Sequence, residues 1–181
     1  MDLNYENITI SGGVAVGKNT LKDSLIEHLE PLGWKFTSGG QILRDFTKEY
    51  VQPLASLADD DFHRQLDQRT LNLLTKEKNY VIEAWLAGFV ARELDNTLRV
   101  LLVCHDDALR VDRVANRDRV TIDEAKAYIK QREEDNFIEW KRLYGDYNFW
   151  NPEYFHLVID TYENGPVETV QMVLNTLGYK K

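Results

Sequence analysis

Short apolar runs along the chain alternate with longer stretches in which apolar residues recur every three or four positions. The first run, at residues 8–10, is typical of a short strand, and Leu21, Leu25 and Leu29 then line one face of a helix. Further strands are predicted at residues 34–37, 80–82, 100–104 and 155–159, separated by helical segments at about 41–78, 106–143 and 167–177. Strands that alternate with helices predict an α/β fold, a three-layer domain with a parallel sheet.

The run at residues 100–104 is apolar on both faces, as a strand in the centre of a parallel sheet must be. Ligands of such sheets bind beyond the carboxyl ends of the strands. The segments that follow the predicted strands should therefore carry the chemistry. They are residues 12–20, 38–44, 83–88, 105 onward and 160–161.

Composition and charge narrow the classes of function. Of the 181 residues, 43% are hydrophobic and 29% charged, as in an ordinary globular protein, and no Gly- or Pro-rich linker stands out. We therefore expect one compact domain over residues 1–181. The 22 Lys and Arg against 30 Asp and Glu leave a net charge of −8. This balance argues against general nucleic-acid binding, because that function needs a basic surface.

Cysteine usage and the apolar runs add further exclusions. The single cysteine, Cys104, excludes an internal disulfide and a cysteine-based zinc site, and we expect it in the core. No apolar run approaches the length of a transmembrane helix, and the acidic N-terminal segment is not a signal peptide. We expect a cytoplasmic protein that does not bind membranes.

Residues 12–20 combine glycines, a lysine and a hydroxyl between the first strand and the first helix. They follow the form G-x-x-x-x-G-K-[ST], in which the glycines let backbone N–H groups converge on an anion at a helix N-terminus. Lys18 would reach the β- and γ-phosphates of a nucleotide. Asn19 stands where Ser or Thr usually binds Mg²⁺, and the hydroxyl of Thr20 follows it. The predicted nucleotide contacts are Gly12, Gly13, Val14, Ala15, Val16, Gly17, Lys18, Asn19 and Thr20.

A second small-residue turn, at residues 38–44, follows the second predicted strand. It places Arg44 one turn into a helix, where a guanidinium can hold a phosphate through two hydrogen bonds. A capped helix start with a surface arginine fits the same residues, and the residue pattern leaves both interpretations open.

The charged helical region at about 106–143 contains several arginines. Arg110, Arg113 and Arg117 have helical spacing and share one face, and Arg132 follows them. Arginines that close over ATP would neutralise the transferring phosphoryl group and exclude water. A solvated charged helix is the alternative, since acidic partners are plentiful. Because the phosphate loop is present, we favour a catalytic role for Arg113, Arg117 and Arg132.

Four motifs occur in one order: Gly-Lys-Asn-Thr at 17–20, Ser-Gly-Gly-Gln-Ile-Leu-Arg at 38–44, Ile-Glu-Ala-Trp-Leu-Ala-Gly at 82–88, and Arg-Glu-Glu at 132–134 ahead of Tyr144-Gly145. This order resembles the cytidylate kinase-like family of P-loop nucleoside monophosphate kinases, particularly its short form, over nearly the whole chain. The resemblance implies a P-loop kinase fold with a five-stranded parallel sheet, a helical acceptor-binding insert and a helical lid. It also implies ATP and Mg²⁺.

The resemblance assigns further site residues. Ser38 and Arg44 would hold the acceptor phosphate, and Thr20 and Glu83 would serve Mg²⁺ directly or through water, with Glu83 also bordering the acceptor. The acceptor-binding region would be about 38–78, and its side chains near the acceptor nucleoside would be Asp60, Asp61, Arg64 and Asp67. The lid region, about 106–143, would contribute the same three arginines.

Two positions depart from the family pattern. Trp85 replaces an arginine that grips the acceptor phosphate, and Glu139 replaces another arginine seven residues after Arg132. Trp85 could stack on a base or fill the core, and we favour the core interpretation. Both departures concern the acceptor and leave the ATP site unchanged.

Two conspicuous runs receive ordinary structural interpretations. The acidic run at 59–61 is typical of a solvated helix start, although it resembles a metal cluster. The aromatic residues between Phe137 and Phe155 fit a satellite core beneath a long loop better than a partner surface, and the sequence leaves both open.

We expect an ATP-dependent nucleoside monophosphate kinase that acts on CMP or dCMP. Trp85 and Glu139 keep open a P-loop kinase with a different small-molecule acceptor, such as a hydroxyl. Asn19 and the missing arginines keep open a nucleotide-binding module without turnover. The expected partners are ATP and a nucleoside monophosphate, with no nucleic acid and no membrane, and family precedent favours a monomer.

Overall fold

The computed structural model describes residues 3–42, 45 and 60–180, without the side chains of residues 60–63. The strands are β1 Asn7–Ser11, β2 Lys35–Ser38, β3 Tyr80–Glu83, β4 Thr97–Val103 and β5 Leu157–Asp160. They form a five-stranded sheet in the order β2-β3-β1-β4-β5, and every neighbouring pair is parallel. The predicted α/β fold with a five-stranded parallel sheet is confirmed.

Helices precede or follow each strand. The helices that the structure describes are α1 Lys18–Leu29, α2 Asp60–Lys76, α3 Ala87–Val90, α4 Asp107–Asp118, α5 Ile122–Tyr144 and α6 Pro166–Leu177. Short 3-10 turns occupy Glu30–Leu32 and Pro152–Tyr154, and residues 39–42 form a helical turn after β2. Among these described helices, none has both the length and the apolar character needed to cross a membrane.

The region predicted as helical at about 106–143 is divided between α4 and α5. The helix α4 ends where Arg119 adopts a left-handed backbone conformation with φ 56°, and α5 begins at a capping box formed by Thr121 and Glu124. The Thr121 hydroxyl accepts the Glu124 N–H at 3.3 Å, and the Glu124 carboxylate accepts the Thr121 N–H at 2.8 Å. These reciprocal bonds satisfy donors that a helix start leaves open, so the chain turns here and α5 packs against α4.

The strand β1 lies between β3 and β4, and all of its residues are buried. Ile8 and Ile10 pack with Leu25 of α1 and Val173 of α6 in the main hydrophobic core. Cys104 is a buried free thiol in the same core, as predicted. The central position of β1 places the loop that follows it between the other strand ends, where ligands of parallel sheets bind.

Three predicted strands are displaced along the chain. The strand β4 covers residues 97–103, whereas the prediction was 100–104. The strand β2 begins at Lys35, because Trp34 packs into the main core before the strand starts. The strand β5 begins at Leu157, after the 3-10 turn, and Phe155 packs closely against Gly88 instead of joining the sheet. The packing of side chains therefore decided where β2 and β5 begin, and the apolar character of their residues alone did not.

The aromatic residues between 137 and 155 form a satellite core around Phe89. Phe89 and Phe149 are fully enclosed, with ring centroids 4.9 Å apart at a near-perpendicular angle of 75°. Trp140 is also buried and its ring lies 5.6 Å from that of Phe149. Edge-to-face contacts of this kind are favourable beyond the area that they bury, and the satellite-core interpretation is confirmed.

Candidate active site

Two neighbouring cavities open near the carboxyl ends of the strands. The first has a volume of about 550 Å³ and is bordered by the loop after β1, the lid helices α4 and α5, and the start of α6. The second has a volume of about 710 Å³ and is bordered by the ends of β2 and β3 and by α2 and α5. We call them the donor cavity and the acceptor cavity, after the roles expected from the sequence.

The loop at residues 12–17 has a backbone that few side chains tolerate. Gly12 has φ 140° and Gly17 has φ 90°, and Ala15 between them has φ 58°. A Cβ on Gly12 would lie 2.3 Å from the carbonyl oxygen of Leu102, so the loop passes directly over β4. Glycine is required at Gly12 by both conformation and space, which explains its place in the predicted phosphate loop.

Lys18 begins α1 and is 9% exposed. Its ammonium donates to the carbonyl oxygen of Gly13 at 2.7 Å and lies 3.9 Å from the carboxylate of Glu83. Burial lowers the pKa of Lys18 to about 8, and the carboxylates of Glu83 and Glu133 oppose that shift. Below about pH 8 the side chain is therefore still a cation, held at the base of the loop.

Hard oxygen donors border the donor cavity beside Lys18. Thr20 offers a hydroxyl on α1 and Glu83 offers a carboxylate at the end of β3, and burial raises the pKa of Glu83. Mg²⁺ in nucleotide sites keeps several waters and takes one or two protein oxygens in addition to phosphates. Within the described ranges, no group of three or more His, Cys, Asp and Glu residues could bind a metal by itself. These residues therefore fit an Mg²⁺ that arrives with a nucleotide, and the ion would neutralise phosphate charge there.

The predicted lid arginines Arg113, Arg117 and Arg132 all border the donor cavity. Arg113 donates to the carbonyl oxygen of Ala15 at 3.0 Å and to the carbonyl oxygen of Thr161 at 3.0 Å, which ties α4 to the phosphate loop and to the end of β5. Arg117 pairs with Asp118, and this hydrogen bond raises the pKa of the guanidinium.

A pair that the sequence analysis did not assign lies against the phosphate loop. Arg110 donates from Nε to the Val14 carbonyl oxygen at 3.1 Å, and its Nη2 bonds to the carboxylate of Glu133. The same carboxylate accepts the Val14 N–H at 3.2 Å. The carboxylate of Glu133 is therefore an anion of the protein itself that accepts a backbone N–H of the phosphate loop. The two residues lie on different helices, so no local pattern could have indicated their contact.

The acceptor cavity contains part of the predicted acceptor set. Ser38 borders it, and the Ser38 hydroxyl accepts the Gln41 N–H at 3.1 Å, which caps the helical turn. Arg44 and the side chain of Asp61 lie outside the described residues. Arg64 is exposed on α2 and does not border this cavity, so the structure does not bring it to the predicted position.

Two polar groups in the acceptor cavity have special environments. Burial, and then the nearby charge of Glu139, raise the pKa of the Asp67 carboxyl to about 7. The Tyr144 hydroxyl is buried with no hydrogen-bond partner among the described residues. Buried polar atoms are nearly always bonded, so the Tyr144 hydroxyl fits the recognition of a bound molecule. The sequence analysis placed Asp67 near the acceptor and quoted Tyr144 only as part of a motif.

Trp85 is half-buried and borders both cavities. Its ring packs against Trp140 and Trp150 of the satellite core, with centroids at 5.9 Å and 6.2 Å. The core interpretation of Trp85 is therefore incomplete, because part of the ring faces the site. Glu139, the other departure from the family pattern, borders the acceptor cavity as well.

Comparison with known proteins gives the family. The family model described as the cytidylate kinase-like family matches residues 35–163. The chain belongs to the cytidylate kinase-like family. The matched region contains most of the residues that border the acceptor cavity, together with the lid helices and the last strand, and the phosphate loop precedes it.

Relatives of this cytidylate kinase-like chain extend over the phosphate loop too. A protein named cytidylate kinase from Ignicoccus hospitalis is 31% identical over 175 residues, which cover 92% of this chain and 98% of the relative. A protein with the same name from Sulfolobus acidocaldarius is 30% identical, over 96% of this chain and 94% of the relative. The chain is thus a phosphotransferase of this kinase family.

Solved structures share the fold of the cytidylate kinase-like chain. A protein from Eubacterium ventriosum matches with a TM-score of 0.75 at 14% identity, over 97% of this chain and 99% of the other. Shikimate kinase from Acinetobacter baumannii matches with a TM-score of 0.57 at 20% identity, over 94% and 92%. A gluconokinase from Sinorhizobium meliloti matches with a TM-score of 0.58 at 14% identity, over 98% and 94%. These similarities concern the fold alone.

Proposed function

We propose that this chain transfers the γ-phosphoryl group of ATP to a nucleoside monophosphate, with CMP and dCMP as preferred acceptors. The observation that carries the proposal is that the two cavities meet, since Asn19, Glu83, Trp85 and Arg132 border both. A triphosphate on the phosphate loop and a monophosphate in the acceptor cavity would place their reacting groups at this boundary. The names of the relatives support a cytidine nucleotide as acceptor.

The reaction needs no covalent intermediate on the protein. An oxygen of the acceptor phosphate forms a bond to the γ-phosphorus, while the bond from that phosphorus to the β–γ bridging oxygen breaks. The products are ADP and a nucleoside diphosphate. Because the attacking oxygen is already anionic, the protein has only to position the two phosphates and neutralise their charge.

The described cations suit that task. Lys18 lies at the base of the loop, and Arg132 lies at the boundary of the two cavities. Arg113 and Arg117 border the donor side from α4. Cations fixed before the reaction stabilise charge that spreads over the transferring oxygens, and a closed lid keeps out water that would otherwise accept the phosphoryl group.

A hydroxyl acceptor is the second candidate, and the charge of the acceptor cavity favours it. Four carboxylates border the cavity, against Lys22 and Arg132 as its cations among the described residues. The carboxylates are Asp67, Glu83, Asp135 and Glu139. The ionised members of this set would repel a phosphate unless cations shield it, whereas they would not repel a hydroxyl compound.

The deciding experiment is ADP release from ATP·Mg²⁺ with CMP, dCMP, UMP, AMP, GMP or TMP, and without acceptor. We expect stimulation by CMP and dCMP, and loss of turnover in Lys18→Ala. Lys130→Ala is the matched control, because this lysine is exposed on α5 and borders neither cavity. ATP binding with no stimulation by any monophosphate would overturn the proposal. Stimulation by a non-phosphorylated alcohol would then select the second candidate.

A further inference from the structure

Trp85 brings together side chains from two separate parts of the fold. The Nζ atom of Lys18 lies over its ring at 5.3 Å from the centroid, and the Cζ atom of Arg132 lies over the ring at 5.8 Å. Lys18 comes from the phosphate loop and the start of α1, whereas Arg132 comes from the lid helix α5. A single aromatic ring therefore contacts one cation of the loop and one cation of the lid.

The ring itself is held firmly in place. It lies two residues after β3, and it packs edge to face against Trp140 and at a tilt of 35° against Trp150. The indole N–H of Trp150 donates to the carbonyl oxygen of Trp85 at 3.1 Å. The satellite core therefore positions both the backbone and the ring of Trp85.

An aromatic face attracts a cation through the negative charge of its π system, and the attraction is strongest where water is excluded. Lys18 is 9% exposed, so its ammonium has few water molecules to replace the ring. The family pattern places an arginine at this position, which would add a positive charge and repel both neighbours. In this chain the Trp85 ring instead stabilises the positive charges of Lys18 and Arg132, which come from α1 and α5.

We propose that Trp85 is a positioning residue, which holds Lys18 and Arg132 together at the boundary of the donor and acceptor cavities and so couples the lid to the phosphate loop. The proposal rests on the proposed phosphoryl transfer. It accounts for the loss of the family arginine, because the positive charge at the boundary comes from Arg132 of the lid when the ring holds it there.

Rescue by phenylalanine separates the cation contacts from packing. Phenylalanine is smaller than tryptophan and leaves part of the space in the satellite core empty, but it keeps an aromatic face for Lys18 and Arg132. Leucine removes that face. A loss in Trp85→Leu that Trp85→Phe restores is therefore a loss of the cation contacts and not of packing.

The test compares kcat/KM of the wild type with that of Trp85→Leu and Trp85→Phe. We expect Trp85→Leu to lower kcat/KM by about 10- to 30-fold, as the loss of one buried and one exposed cation–π contact implies. Trp85→Phe should restore most of the rate because it keeps an aromatic face. Tyr154→Leu is the matched control, since Tyr154 packs on Phe89 in the same satellite core and borders neither cavity.

Two outcomes would overturn the proposal. Wild-type rates in Trp85→Leu would do so, as would an equal loss in Trp85→Leu and Trp85→Phe. Thermal unfolding of each variant identifies a loss of fold, and Trp85→Met replaces Trp85→Leu if the latter does not fold. If the wild type turns over no acceptor, the proposed function fails instead. The affinity for a non-hydrolysable ATP analogue then decides the role of Trp85, since equal affinity in the wild type and Trp85→Leu contradicts it.

Discussion

Asp67→Asn should stabilise the protein, and the gain should grow with pH. Asp67 lies on α2 beside the acceptor cavity, and burial, followed by the charge of Glu139, raises its pKa to about 7. The folded state therefore favours the protonated carboxyl. The stability that this group contributes is fully present below its unfolded pKa, near 4, and is lost as the pH rises to the folded value near 7. Asparagine has no charge to bury, so it avoids that loss.

The size of the effect follows from the shift. The difference between the usual pKa of 3.8 and about 7 corresponds to about 4 kcal/mol at full loss. Water in the open cavity screens the charge of Asp67. We therefore expect Asp67→Asn to raise the free energy of unfolding by about 2 to 4 kcal/mol at pH 8. At pH 5 only the first part of the loss has occurred, and the expected gain is about 1 kcal/mol.

Urea unfolding of wild type and Asp67→Asn at pH 5 and pH 8, followed by tryptophan fluorescence, measures both gains. Asp112→Asn, at an exposed position of α4, is the matched control and should change the free energy of unfolding little at either pH. The reasoning is refuted if Asp67→Asn is no more stable than wild type at pH 8. A gain of the same size at both pH values would also refute it, because an effect independent of pH cannot arise from the buried charge.

Three further predictions concern the phosphate loop. Gly12→Ala should lower the free energy of unfolding by about 3 kcal/mol, since a Cβ there meets the backbone of β4 at 2.3 Å in addition to the cost of φ 140°. Gly33→Ala, with φ 82° and no atom within 4 Å of the new Cβ, should lose only about 1 kcal/mol in the same urea titration. Glu133→Gln should tighten ATP binding by roughly 3- to 10-fold, because the carboxylate that competes for the Val14 N–H becomes a neutral amide. Calorimetry measures this affinity, and Glu134→Gln, at an exposed position, is the control that should leave it unchanged. ATP binding at pH 8.5 should take up a proton, because the phosphates restore the pKa of Lys18 from about 8 toward its usual value. Comparing the heats of binding in two buffers measures this uptake, and Lys18→Met should abolish it.

The local features of the site could be predicted from the sequence because neighbours along the chain make them. The phosphate loop depends on glycines that take positive φ and on a helix that starts at the next residue, and both features lie within residues 12–20. The break between α4 and α5 also had a local signal, the capping box of Thr121 and Glu124, which the helical pattern across the region obscured.

The contacts that shape the chemistry join distant parts of the chain. Glu133 reaches Val14 across 119 positions, and the charge of Glu139 acts on Asp67 from a different helix. The sequence analysis favours a core position for Trp85, and only the tertiary structure shows that its ring, which packs in the satellite core, also meets two cations. Such contacts depend on the angle between helices and on the order of strands, neither of which is encoded at one position.

The sequence by itself determined that this chain is an α/β protein with a phosphate loop after its first strand, because backbone conformation and apolar periodicity are local properties. Only the tertiary structure decided that β1 lies between β3 and β4, which brings the loop beside Glu83 and Trp85. It also decided the charge of the acceptor cavity, since carboxylates from α2, β3 and α5 meet there. Electrostatic energy depends on distance in space and on exclusion of water, and both arise only when the chain has folded.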